Sequence, residues 1–166
     1  MNNSFFITKE ISLETDYIEK LLEFFNKFSA EETKENPLKI YINSPGGSIP
    51  ASLAIYDIIR SYVCKGYKVN TIACGQISSC AVLIFLAGQH RAAYVHTSFF
   101  IHTPHTEVKG SKAVCAVETA CIEQDALTIE TILTAYTKDA FLPLTDEGRY
   151  IYVEEAQESG LIHEIL

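Results

Sequence analysis

Two adjacent serines, two nearby histidines and a double-glycine turn are the residues of this chain best suited to acyl-transfer chemistry. Cleavage of an amide by a serine needs a nucleophile, a base to take its proton and N–H donors for the developing oxyanion. Ser78 and Ser79 lie between the β-branched run Val69–Cys74 and the apolar run that begins at Ala81. A buried strand turning into a buried helix exposes a hydroxyl at the sheet edge and points helix N–H groups toward it. The plainer role for such a serine is to cap the helix. The Cys80 N–H, just inside that helix, is one candidate oxyanion donor. A second comes from the turn Asn43-Ser44-Pro45-Gly46-Gly47-Ser48, where glycine lets the backbone approach a substrate without a Cβ in the way. The base is a histidine following a neighbouring strand, and His102 and His105 both qualify. His90, His96 and His163 read as ordinary surface or core histidines.

These groups must be held by the elements around them. Ser4 to Ile11 alternates weakly, as an edge strand does. Tyr17, Ile18, Leu21, Leu22, Phe24, Phe25 and Phe28 recur at helical spacing within 13–28. The charged stretch 29–37 reads as a solvated loop, and 38–42 as a strand running into the glycine turn. Ala51, Ala54, Ile55, Ile58, Ile59 and Tyr62 line one face of the next helix. Residues 67–74 form a second core strand, and the helix after Ser79 stops at Gly88. Short strands follow at 92–95 and 98–102. Ser111 opens a long helix to about Tyr136, with Val114, Val117, Ile122, Leu127, Ile129, Ile132 and Leu133 as its apolar positions. Residues 137–150 are irregular, broken by Pro143 and Gly148. A short helix at 154–159 stops at Gly160, and 161–165 is a final strand. Strands alternating with helices predict an α/β fold of βαβ units around a largely parallel sheet. Sites in such sheets lie beyond the carboxyl ends of the strands, where both candidate turns fall.

Totals narrow the function classes. The 166 residues suit a single domain at 1–166. A formal charge of −8 argues against nucleic acid or an anionic membrane as partner. No apolar run reaches the roughly 20 residues a membrane span needs. The N-terminus lacks the basic region of a signal peptide. Five cysteines without CxxC spacing suit free thiols in a reducing, cytoplasmic setting rather than a zinc site or disulfide scaffold. No metal or cofactor is expected.

Taken together, the motifs resemble one known family. Ile42-Asn43-Ser44-Pro45-Gly46-Gly47-Ser48 is similar to the INSPGG signature of the Clp protease proteolytic subunit, and Ala54-Ile55-Tyr56-Asp57 to the segment after it. Gly75-Gln76-Ile77-Ser78-Ser79-Cys80 resembles that family's GQAASM block, and Phe100-Ile101-His102-Thr103-Pro104 its MIHQP block. Glu155-Ala156, Gly160-Leu161-Ile162 and Ile165-Leu166 resemble its closing segment. The resemblance covers the chain from about Phe5. It implies a ClpP/crotonase-like α/β subunit of spiralled βαβ units, with the helix from Ser111 as a protruding handle that joins paired heptameric rings. It also implies a serine endopeptidase acting on peptides or unfolded proteins in a ring chamber, with Ser79 as nucleophile, His102 as base, and oxyanion donors at Gly47 and Cys80.

The sequence departs from that pattern in three places. The triad aspartate falls on Gly148, within Asp146-Glu147-Gly148-Arg149-Tyr150. Either Asp146 or Glu147 then orients His102, or the third member is absent and the chain is a catalytically impaired structural subunit. The family's N-terminal gate segment, which contacts the Clp ATPase, has no counterpart before the first strand, so an ATPase partner is left open. The segment around the handle turn is shortened or altered, so ring pairing can differ. Two alternatives remain: a crotonase-type activity on acyl-CoA, which would need no Ser–His pair at these positions, and a Ser–Lys peptidase, for which no motif places Lys109 or Lys112 near Ser79.

Overall fold

Leu38, Ile40, Ile42 and Ser44 alternate with more exposed residues, so the strand they form buries one face continuously. The computed structural model describes residues 2–105, 108–138 and 144–166. Its elements run β1 (Ser4–Ile7), α1 (Tyr17–Phe25), α2 (Ala30–Glu35), β2 (Leu38–Ser44), α3 (Ile49–Cys64), β3 (Val69–Ser78) and α4 (Ala81–Leu86). They continue with β4 (His90–Ala93), β5 (Ser98–Ile101), α5 (Lys112–Tyr136), β6 (Arg149–Tyr152), α6 (Val153–Glu158) and β7 (Glu164–Ile165). The sheet order is β1-β2-β3-β4-β7, all parallel. This is the expected α/β fold.

Strand β3 is longer than the sequence suggests and changes partner along its length. Asn70–Ala73 pair with β4, whereas Gln76–Ser78 pair in parallel with β5. β5 in turn pairs antiparallel with β6. The switch opens the sheet just before Ser79 and brings the ends of β3 and β5 side by side.

Every residue of α4 is buried, between α3, the sheet and α5. Behind it, Phe25 stacks on Tyr62 with ring centroids 4.1 Å apart, tying α1 to α3. On α5, Ile129 and Leu133 are buried, while Val114, Val117 and Leu127 face outward, so much of this helix stands clear of the core. Ser111 caps it by accepting the Val114 N–H.

Several boundaries differ from expectation for physical reasons. Residues 30–35 are helical rather than a loop, because Ser29 and Glu32 form a reciprocal capping box. Gly88 does not end α4 in a left-handed turn; a Cβ there would collide with Thr71, whose hydroxyl donates to the Phe85 carbonyl at 2.7 Å. Residues 149 and 150, expected to be irregular, open the strand β6, which runs on to Tyr152. The final strand contracts to β7, and Pro143 lies outside the described residues.

Candidate active site

Register brings the chemistry together. Ser78 lies opposite Phe100 across the β3–β5 pair, so Ser79 and His102 both fall just past the carboxyl ends of adjacent parallel strands. The Ser79 N–H donates to the Phe100 carbonyl at 2.8 Å, fixing the turn. Ser79 has φ +56°, the one described non-glycine residue in the left-handed region. Strain of this kind persists only where the surroundings over-determine it, as at a nucleophile's strand-to-helix turn.

The Ser79 hydroxyl lies 2.9 Å from His102 Nε2. His102 Nδ1 lies 2.6 Å from the Thr103 carbonyl oxygen. A carbonyl only accepts, so Nδ1 carries the proton and Nε2 is free to accept from Ser79. His105 sits beside His102 with ring centroids 5.1 Å apart, but His102 is the ring that meets the serine.

Neither serine caps α4. Its N-cap is Cys80, without a side-chain capping bond. The Ser78 hydroxyl is buried with no hydrogen-bond partner among the described residues. The capping role weighed from sequence therefore falls away.

The glycine turn abuts the serine turn. A Cβ on Gly46, at φ +93°, would lie 2.7 Å from the Ser78 carbonyl and 2.8 Å from Ser79 Cβ. Gly47, at φ +138°, runs against the Ile11 backbone just as closely. Hydrogen bonds in the glycine turn use the N–H groups of Ile11, Gly46 and Ser48. Those in the serine turn use Ser79, Val82 and Leu83. The Gly47 and Cys80 N–H groups belong to neither set. The Cys80 thiol donates to the Gly47 carbonyl at 3.3 Å, and burial pushes its pKa up, so it remains a thiol at neutral pH.

The acidic residues are arranged differently. Asp146 accepts a hydrogen bond from the Thr103 hydroxyl, not from the imidazole. Glu147 is exposed, and His102's hydrogen bonds go to Ser79 and Thr103. Gly148, at φ +64°, lies so close to His102 that a Cβ would stand 2.8 Å from His102 Cβ and 2.6 Å from Phe100 Cζ. Thr103 escaped the sequence reading because it acts here through a main-chain carbonyl, which has no residue signature.

Beside Ser79 and His102 lies a small cavity of about 20 Å³, lined otherwise mainly by Ile49, Val82, Leu83, Ile101, Pro104 and Leu133. No cluster of metal-ligating side chains occurs among the described residues. Among the same residues, no helix is long and apolar enough to cross a membrane.

The fold and the Ser–His pair at its strand ends define the class as an α/β chain with a Ser–His site beyond the carboxyl ends of parallel strands. The family model described as Clp protease matches residues 3–166. ATP-dependent Clp protease proteolytic subunit 4 of Rhodococcus jostii is 33% identical over 135 residues, covering 78% of this chain and 68% of that protein. Subunit 1 of Chlamydia felis is 31% identical over 144 residues, covering 84% and 70%. Among solved structures, a single-substitution mutant of ClpP1 from Listeria monocytogenes superposes with a TM-score of 0.76 at 25% identity, covering 99% of this chain and 91% of its own. The chain belongs to the Clp protease family. Its fold is therefore the ClpP/crotonase-like one, with α5 as the handle helix.

Proposed function

We propose that this protein is a serine endopeptidase of the Clp type, with Ser79 as nucleophile and His102 as general base. The observation that carries this reading is the 2.9 Å contact between the Ser79 hydroxyl and a His102 ring whose other nitrogen is held by a carbonyl.

As Ser79 Oγ attacks the scissile carbonyl, its proton passes to His102 Nε2. The oxyanion takes hydrogen bonds from the Gly47 and Cys80 N–H groups, which the two turns leave uncommitted. Collapse of the intermediate breaks the C–N bond, and His102 Nε2 returns the proton to the leaving amine. Water, deprotonated by the same nitrogen, then releases the acyl group and regenerates Ser79. Asp146 and Glu147 take no direct part in these transfers. The apolar lining of the adjoining pocket favours an uncharged, apolar side chain on the acyl side of the cut.

Homo-oligomeric rings, heptameric and joined through α5, fit the apolar side chains that α5 turns outward. The substrates are peptides and unfolded proteins reaching the chamber, with a Clp ATPase as the candidate feeder. A cytoplasmic setting agrees with the five free cysteines.

One observation favours a second reading, that of a catalytically impaired structural subunit: among the described residues the imidazole's hydrogen bonds go to Ser79 and Thr103, and neither goes to a carboxylate. Cleavage of an unstructured peptide with apolar residues separates the two. The peptidase reading expects turnover that Ser79→Ala abolishes. Assembled protein with no more turnover than Ser79→Ala supports the impaired subunit.

A further inference from the structure

We infer that the Thr103 main-chain carbonyl replaces the triad carboxylate, and that Thr103 and Asp146 are positioning residues for His102. This inference rests on the serine-peptidase reading and explains how that site works without a carboxylate on the imidazole.

Thr103 is held at three atoms. Its carbonyl oxygen meets His102 Nδ1 at 2.6 Å. Its N–H donates to the Thr145 carbonyl at 3.1 Å, and its hydroxyl donates to Asp146. Pro104 follows it and restricts its backbone to extended conformations. The two outer contacts come from one turn, closed by the Gly148 N–H donating to the Thr145 carbonyl at 3.1 Å.

Gly148 is what lets that turn approach. A Cβ there would lie 2.8 Å from both His102 Cβ and the Ile101 carbonyl oxygen. The position aligned with the family's aspartate thus holds no carboxylate, and the space is filled by backbone. The turn contributes to the imidazole indirectly: it fixes Thr103, and Thr103 fixes the ring tautomer and plane. Asp146 serves as a hydrogen-bond acceptor for Thr103, and its charge is not required.

This last point makes the inference specific. Thr103→Val keeps the carbonyl and loses the hydroxyl; Thr103→Ser keeps both. Asp146→Ala removes the acceptor; Asp146→Asn keeps an acceptor oxygen and loses the charge. The readouts are kcat and KM for peptide cleavage, and the rate at which a fluorophosphonate labels Ser79. Thr103→Val and Asp146→Ala should each lower kcat and labelling by about 10- to 100-fold with KM unchanged, short of the roughly 10⁴-fold cost of disabling a triad aspartate. Thr103→Ser and Asp146→Asn should stay within about threefold of wild type. Combining Thr103→Val with Asp146→Ala should cost no more than either alone, since both break one chain of contacts.

¹⁵N spectra of labelled histidine read the same contact without activity: wild type should hold the proton on His102 Nδ1, and Thr103→Val should mix the tautomers. Should Thr103→Val prevent folding, Asp146→Ala on the exposed turn carries the test. Normal labelling and kcat in both Thr103→Val and Asp146→Ala overturn the positioning inference and leave the peptidase reading standing. A loss in Asp146→Asn equal to that in Asp146→Ala also overturns it, since charge would then be the active property. A wild-type Ser79 that resists labelling, with the Nδ1 proton in place and displaced in Thr103→Val, overturns the peptidase reading and upholds the contact.

Discussion

Position 148 shows how one residue changes the reading of a site. Gly148 has a left-handed backbone with His102 and Phe100 against the face where a Cβ would stand. Gly148→Asp, the substitution that would match the family pattern, should therefore reduce peptide cleavage rather than raise it. Its side chain must displace His102 or the Ile101 backbone. The check is kcat with the melting temperature measured alongside; a gain in kcat would show that the site was waiting for a carboxylate. Gly46→Ala should act similarly from the other side, since its Cβ would press on Ser79. Strained placement plus a clash at a positive φ gives an expected loss on the order of 1–3 kcal/mol, measurable by urea denaturation. At this scale much was legible in the sequence. Ser79 and His102 stand in motifs whose spacing fits a strand-end site, and the structure brings them to 2.9 Å. Thr103 was not legible, because a carbonyl oxygen is common to every residue and only the fold decides which one meets Nδ1.

Among the elements, the clearest departure from expectation is α2. A high charge density suggested a loop, but the Ser29–Glu32 capping box outweighed it. Ser29→Ala should cost about 1 kcal/mol, read from denaturant midpoints. β6 was hidden because its alternation is short and only Ile151 is fully buried within it. The partner switch of β3 was hidden too, since pairing partners are a tertiary choice that no local pattern encodes.

The segment leading into the closing strand also carries a pH dependence. Arg91 is buried, donating from Nε to the Leu161 carbonyl at 2.8 Å and from its main chain to His163 Nδ1 at 3.1 Å. Burial, the Arg91 charge and His90 hold the His163 pKa below its ordinary value. The unfolded chain then takes up a proton more readily than the folded one. Stability should be full above about pH 6.5 and decline as pH falls from there through the folded value. His163→Gln should flatten that decline. Melting temperatures between pH 5 and 8 measure it, and equal slopes in wild type and variant would remove His163 as the source.

For the whole molecule, the chain is acidic, with a formal charge of −8, yet it turns apolar side chains outward along α5. Val117 is 70% exposed and Leu127 58% exposed. Such side chains on a handle helix suit burial against another subunit. Sedimentation velocity should find a large oligomer, and Val117→Lys with Leu127→Lys should shift it to smaller species while the subunit stays folded. An unchanged sedimentation profile would mean that α5 does not carry the assembly. The fold class was legible at this scale because the βαβ rhythm is written in hydrophobic periodicity. The ring assembly proposed for this chain rests on family resemblance, since no local pattern in the sequence encodes it.

In the proposed mechanism the Ser79 hydroxyl is a nucleophile activated by His102. Peptide-level mass spectrometry after exposure to a fluorophosphonate tests it most directly. One covalent adduct is expected on Ser79, absent in Ser79→Ala and formed at least about 100-fold more slowly in His102→Ala. Folded, assembled protein that remains unmodified at Ser79, or is modified equally fast without the imidazole, would contradict it.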